Sequence, residues 1–208
     1  MNRRQFVASA AALTAGVSIG SFPFLAFASE AEAKAFMVDM GKRTQEALTK
    51  PGLTDDQRVT VLGEIMAKAL DIDGLGKFTL GPFLRQSNVD KVTEFLGFFH
   101  KYVVMFYPKL MLKLSFVGFT VTEARASSDQ DILVGSMLKR NGGGEVQADW
   151  QVRMVNGAYQ IVDVKVEGHS LRSFTRAKFE RVLREKWIDG LIAVLKDWVT
   201  SGIEKPVF

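Results

Sequence analysis

The apolar residues of this chain change their spacing twice. Over residues 30–107 they recur every three or four positions, over residues 116–167 every second position, and over residues 171–198 every three or four again. A repeat of 3.6 puts side chains on one stripe of a helix, and a repeat of two puts them on one face of a strand. Helices, then a run of strands, then helices again add up to an α+β architecture. At 208 residues the chain fits one domain, with little room for two.

Each segment carries its own boundaries. Ala33, Phe36, Met37, Met40, Thr44, Ala47 and Leu48 share one face of a helix over residues 30–48, which Pro51-Gly52 ends. Thr54-Asp55-Asp56-Gln57 is a capping box, and Leu62, Ile65, Met66, Ala69 and Leu70 form the stripe of the helix it opens. Residues 71–84 read as a short helix with loops, punctuated by Gly74, Gly76 and Gly81-Pro82. Residues 87–90 open the longest helix, which Pro108 is expected to kink or end. Phe119 and Val121 lie in a first strand, and residues 131–140 form a second, apolar on both faces. In the third, Val146, Ala148, Trp150, Val152 and Met154 alternate with polar residues.

Asn156-Gly157 marks a hairpin into a fourth strand over residues 159–167. For Val162 and Val164 to share a face with Val152 and Trp150, the loop must hold an odd number of residues. A three-residue Asn156-Gly157-Ala158 turn meets this and sets Asp163 beside Gln151 on the polar face. Two closing helices follow, one with Leu171, Phe174, Phe179 and Leu183, the other with Trp187, Leu191, Val194, Leu195 and Trp198. The expected fold is a curved four-stranded antiparallel sheet wrapped by helices, with a helical N-terminal half and two C-terminal helices.

The first 28 residues have a different purpose. Arg3-Arg4 precede an uncharged stretch, residues 6–29, that is long enough to span a bilayer. More than half of that stretch is Ala, Gly, Ser or Thr, too weakly apolar for a typical span. Ala26-Phe27-Ala28 and Ala31-Glu32-Ala33 are small-x-small cleavage sites, so residues 1–28 read as a cleaved signal peptide, with 29–208 as the single mature domain. The new N-terminus is expected between Ser29 and Lys34. Arg3-Arg4-Gln5-Phe6 also resembles the twin-arginine export motif, leaving two export routes open. The chain has no cysteine, which excludes disulfides, thiolate metal sites, a cysteine nucleophile and a lipoprotein anchor. It has 27 Lys and Arg against 23 Asp and Glu. Two of those bases belong to the leader, so the mature domain is nearly neutral and lacks the dense basic run of a nucleic-acid binder.

The polar residues converge on no reaction. His100 and His169 stand in no metal-binding spacing, and no nucleophile elbow is present. Asn141-Gly142-Gly143-Gly144 joins two strands without a following helix, so it is a hairpin loop and not a phosphate loop. Asp163, on a strand otherwise rich in valine, would act as a catalytic carboxylate only if a histidine faced the same cavity. The aromatic content says more. Phe95, Phe99, Tyr102, Val103 and Phe106 form one stripe of the long helix, and Val134, Trp150, Val152, Val162 and Val164 form one sheet face. Two arrangements remain open: these surfaces pack on each other as core, or they enclose an apolar ligand.

A resemblance bears on the choice. Trp150-Gln151-Val152-Arg153-Met154 leads into Asn156-Gly157-Ala158-Tyr159-Gln160-Ile161-Val162-Asp163-Val164. Then come Val166-Glu167-Gly168-His169-Ser170-Leu171 and Arg176-Ala177-Lys178-Phe179. This run resembles the signature of the MlaC family, also known as toluene-tolerance or Tgt-type phospholipid-binding proteins. Ile188-Asp189-Gly190-Leu191 is similar to that family's I-D-G-L, and Asp71-Ile72-Asp73 with Leu80-Gly81 and Arg85 to its D-x-D and L-G-x-x-W-R. Tyr159 stands where the family usually has Trp, and His169 where a small aliphatic is common.

The resemblance implies a fold like those of nuclear transport factor 2 and the cystatins, and a monomeric periplasmic phospholipid shuttle that is not an enzyme. It implies no cofactor, only phospholipid as cargo. Its partners would be an inner-membrane ABC transporter carrying an MCE-domain ring and an outer-membrane lipoprotein-porin complex, the two ends of an Mla-type pathway that maintains outer-membrane lipid asymmetry. The alternatives are a carrier of another apolar ligand, such as a hopanoid or isoprenoid lipid, or a cavity enzyme of the same fold.

Overall fold

In the computed structural model, which describes residues 29–206, the sheet is assembled entirely from neighbours in sequence. The expected signal peptide, residues 1–28, lies outside the described residues. Two helices come first, α1 (Glu30–Thr49) and α2 (Asp55–Ala69), followed by α3 (Ile72–Leu80), the single turn α4 (Phe83–Gln86) and the long α5 (Val89–Leu114). Strands β1 (Phe116–Ala126), β2 (Asp131–Arg140), β3 (Glu145–Val155) and β4 (Ala158–Val166) then form an antiparallel meander, extended by the two-residue β5 (His169–Ser170). The fold is α+β, with five strands where four were expected; the extra one is the short return into α6 (Leu171–Ser201). Among the described residues no helix is long and apolar enough to cross a membrane.

The local signals act as written. Ser29 caps α1 through the backbone N–H of Glu32, and Thr54 and Gln57 close the reciprocal capping box of α2. Asp71 caps α3 by accepting from the Gly74 N–H at 2.8 Å, while its own N–H donates to the Ile161 carbonyl at 3.0 Å. That second bond ties the helical half to the sheet. The phenol of Tyr159 accepts from the Ser29 N–H and donates to Glu32, both at 2.8 Å, so it fixes the start of α1 over β4.

Three expectations are corrected. First, the helix does not end at Pro108, one of the two outcomes expected there: α5 runs through it to Leu114. Proline removes the hydrogen bond to the carbonyl four residues back, here that of Val104. That carbonyl faces α2 so closely that a methyl group on Gly63 would lie 2.6 Å from its oxygen. Second, the β3–β4 turn has two residues, Asn156 (φ 49°) and Gly157 (φ 83°), with Val155 opposite Ala158. Both central residues have the positive φ of the tight hairpin turn that matches strand twist. Third, Val162 does not share a face with Val152 as a paired residue. A β-bulge between Gln151 and Val152 accommodates it, so Ile161 sits opposite Val152, while Asp163 still meets Gln151 and Val164 still meets Trp150. The bulge supplies the shift that the longer turn was expected to supply.

The two closing helices appear as α6 with a break at Trp187, whose φ of 58° is not helical. Its indole rests edge-on against Phe83, with ring centroids 5.5 Å apart. The core forms in separate parts. One lies between α3, α5 and α6, a second between α1 and the sheet, and a third on the sheet around Leu138, Val146 and Ala148.

Candidate functional site

Helix α1 crosses the inner face of the sheet and seals only part of it. Its first turns place Ala33 and Met37, both fully buried, on Ile132, Val134, Val152 and Ile161. Farther along, Met40, Gly41, Thr44 and Leu48 form one wall of a cavity of about 310 Å³. The sheet side of that wall is Phe119, Leu138, Trp150, Val164 and Val166. Met66 of α2 and Leu110, Met111 and Leu114 at the end of α5 close it, with Leu171 and Phe174 of α6 at the rim.

The lining is apolar because its polar atoms are satisfied elsewhere. The Trp150 indole N–H donates to Ser136 Oγ at 2.8 Å, and Ser136 Oγ donates to the Ala148 carbonyl. The indole thus offers the cavity only its apolar faces, with Phe119 edge-on at 5.8 Å. Gly41 admits the Phe119 ring so closely that a methyl there would lie 2.1 Å from a ring carbon. At the far end the Tyr107 hydroxyl shares a 2.6 Å hydrogen bond with Thr175, whose own hydroxyl donates to the Leu171 carbonyl. Burial pushes the Tyr107 phenol up to about 12, against the opposing effect of the Thr175 bond.

A second hollow of about 360 Å³ adjoins the first, sharing Tyr107, Leu110, Leu171 and Phe174 as walls. Its remaining lining mixes the Tyr102 and Phe106 rings with Thr175, Lys109, Lys113 and Lys178, and Glu204 of the C-terminal segment. Lys178 pairs with Glu204 and donates to the Tyr102 hydroxyl, which itself donates to Glu204 at 3.1 Å. Burial, followed by the neighbouring Tyr107 and Glu204, drives the Tyr102 phenol far above its ordinary value. Lys109 donates to the Gly202 carbonyl at 3.0 Å.

The residues singled out from the sequence fall in four places. Trp150 and Val164 line the apolar cavity. Val134 and Val152 are buried under α1, and Val162 borders a separate small cleft with Leu75. Phe95, Phe99, Tyr102, Val103 and Phe106 do not oppose the sheet. They face α6, where Phe179 meets Tyr102 edge-on with ring centroids 5.5 Å apart and Trp198 lies tilted against it at 5.7 Å. Tyr102 and Phe106 also reach the wall of the second hollow.

The cavity residues of α5 went unpredicted because the helix was expected to kink or end at Pro108. The signal was there: Tyr107, Leu110, Met111 and Leu114 continue the three-four spacing past the proline.

Asp163 meets no histidine in the cavity. Its Oδ2 accepts from Ser170 Oγ at 2.6 Å, and its Oδ1 accepts from the backbone N–H groups of Arg172 and Val164. His169 stands at the cavity rim. Among the described residues no group of three or more His, Cys, Asp or Glu side chains gathers as a metal ion would require.

Known proteins share this architecture. The family model for the MlaC protein matches residues 39–197. No curated protein matches the chain. Among solved structures, a phospholipid-binding protein from Ralstonia solanacearum, determined in complex with a phospholipid, superposes with a TM-score of 0.67 at 16% identity. The match covers 81% of this chain and 97% of that one. At that identity the likeness is one of fold.

Proposed function

The chain belongs to the MlaC family, and on that premise we propose that it is a phospholipid carrier that holds acyl chains in the cavity between α1, the sheet and the end of α5. The observation that carries this reading is a cavity of about 310 Å³ whose lining is almost wholly apolar. Its size falls within the range of ligand sites, roughly 300–1,000 Å³. The physical need is large. Two acyl chains of about 30 methylenes, at about 0.8 kcal/mol each, make a bare lipid in water cost roughly 20 kcal/mol. The fold likeness to a protein determined with a phospholipid supports the same cargo.

In this reading the leader is removed on export and the mature domain works as a monomer in the periplasm. It exchanges lipid with an MCE-domain ABC transporter at the inner membrane and a lipoprotein-porin complex at the outer membrane. It is a binding protein and not an enzyme, since the Asp163 carboxylate is committed to Ser170 and the backbone of α6.

The test is the full-length chain expressed with its leader and purified under native conditions, followed by mass spectrometry of the organic extract. Diacyl phospholipid is expected, with a lower melting temperature after delipidation, because a ligand that binds only the native state stabilises it by mass action. A hopanoid or isoprenoid in the extract would reassign the cargo. A lipid-free extract with an unchanged melting curve would overturn the carrier reading.

A further inference from the structure

We propose that the hollow lined by Lys109, Lys113 and Lys178 takes the phosphate group of the cargo's head, and that Glu204 is an internal anion with which this phosphate competes. The inference rests on the carrier reading above. An apolar cavity and a basic one that share four wall residues form one amphiphilic site, apolar at one end and cationic at the other. Three lysines and a single glutamate are among the lining residues, so the charged side chains of the hollow carry an excess of positive charge.

The lysines are not equally engaged. Lys178 is held by Glu204 and Tyr102, and Lys109 spends one of its three donors on the Gly202 carbonyl. Lys113, at the exposed end of α5, has no hydrogen bond or ion pair among the described residues. A phosphate diester offers acceptor oxygens and one negative charge, and bonds from ammonium to such oxygens are the strong, charge-assisted kind. Glu204 shows how an anion sits there. Its carboxylate meets Lys178 and the Tyr102 hydroxyl together, carried in by a segment that leaves α6 at Gly202. An entering phosphate would displace that carboxylate or share its donors.

The test compares the delipidated mature protein with Lys113→Gln and Glu204→Gln variants, each checked for an unchanged melting temperature. Three probes are used: vesicle-borne dipalmitoyl phosphatidylglycerol, dipalmitoylglycerol with the same tails and no phosphate, and inorganic phosphate. The wild type is expected to prefer the phospholipid. Lys113→Gln should weaken phospholipid binding by about fivefold, the scale of one exposed charge contact, and leave dipalmitoylglycerol unchanged. Glu204→Gln should strengthen phospholipid binding selectively. Millimolar inorganic phosphate should not compete, because it lacks the tails.

Equal binding of both lipids, unaffected by either substitution, would overturn the headgroup site while leaving the carrier reading intact. Binding of neither lipid would overturn the carrier reading itself. Saturable, Lys113-dependent binding of inorganic phosphate with no preference between the lipids would make the hollow a free-anion site and refute the proposal.

Discussion

Ser170 Oγ donates to Asp163 Oδ2 at 2.6 Å while accepting from the Ser173 N–H at 3.1 Å, so one hydroxyl joins β4 to the first turn of α6. Asp163 completes the joint by accepting from the Arg172 N–H at 3.0 Å. The helix N-terminus thus gains a cap residue and, behind it, a buried carboxylate that complements its dipole.

Asp163→Ala should therefore destabilise the protein by about 1–3 kcal/mol in urea unfolding, because it strands the Arg172 N–H and the Ser170 hydroxyl. Asp163→Asn keeps one acceptor and should cost less. Lipid bound per folded molecule should stay at the wild-type level in both. A folded Asp163→Asn protein with no lipid would show that this carboxylate serves the cargo and not the helix.

Val152 and Val164 lie on the same sheet face but have different neighbours. Val152 is fully buried beneath α1, whereas Val164 borders the cavity. Val152→Trp should overfill a packed region and cost about 1–3 kcal/mol or more. Val164→Trp can extend its indole into cavity space, so the lipid-free protein should unfold within about 1 kcal/mol of wild type while its lipid content falls. Full lipid loading in Val164→Trp would place the cargo elsewhere.

Arg153 grips Asp131 with Nε at 2.6 Å and Nη2 at 3.0 Å, and Gln151 adds a bond at 2.8 Å. The Arg153 bonds hold the Asp131 carboxyl below the usual carboxylate range, burial opposes them, and Gln151 and Ser128 add to the lowering. The folded state is therefore the weaker proton binder. Its advantage is complete above the unfolded pKa, about 3.9, and is lost as the pH falls from there through the lower folded value. Asp131→Asn should cost about 1–3 kcal/mol at pH 7, and the gap to wild type should narrow on acidification. Urea unfolding at pH 7 and at about pH 3 measures both; an equal gap at the two would exclude an ionised Asp131 as the cause.

How far the sequence could be read depended on the kind of question. The box at Thr54–Gln57 and the bounds of β2 follow from local chemistry and held to the residue. The register of Asp163 on Gln151 and Val164 on Trp150 was also right, although reached by the wrong route. A bulge and a longer turn displace a strand by the same one residue, and the alternation of side chains cannot tell them apart. The aromatic stripe of α5 was legible as a buried face, but periodicity reveals only that something covers it. Phe179 and Trp198, more than 70 residues on in sequence, supply that cover. Several of the residues that carry the family likeness are scaffold. Asp71 and Ser170 cap helices, Asp163 braces one of them, and the Arg176 guanidinium lies over the Phe78 ring at 5.3 Å.

Three thioethers, those of Met40, Met66 and Met111, stand in the cavity wall. Unbranched and polarisable, they let that wall adapt its shape to what it encloses. The same sulfurs are open to oxidants. Each sulfoxide would put a polar, hydrogen-bond-hungry oxygen on a surface suited to hydrocarbon. The plasticity of the pocket therefore brings a chemical vulnerability, one that would be reversed only where methionine sulfoxide reductases have access to the protein.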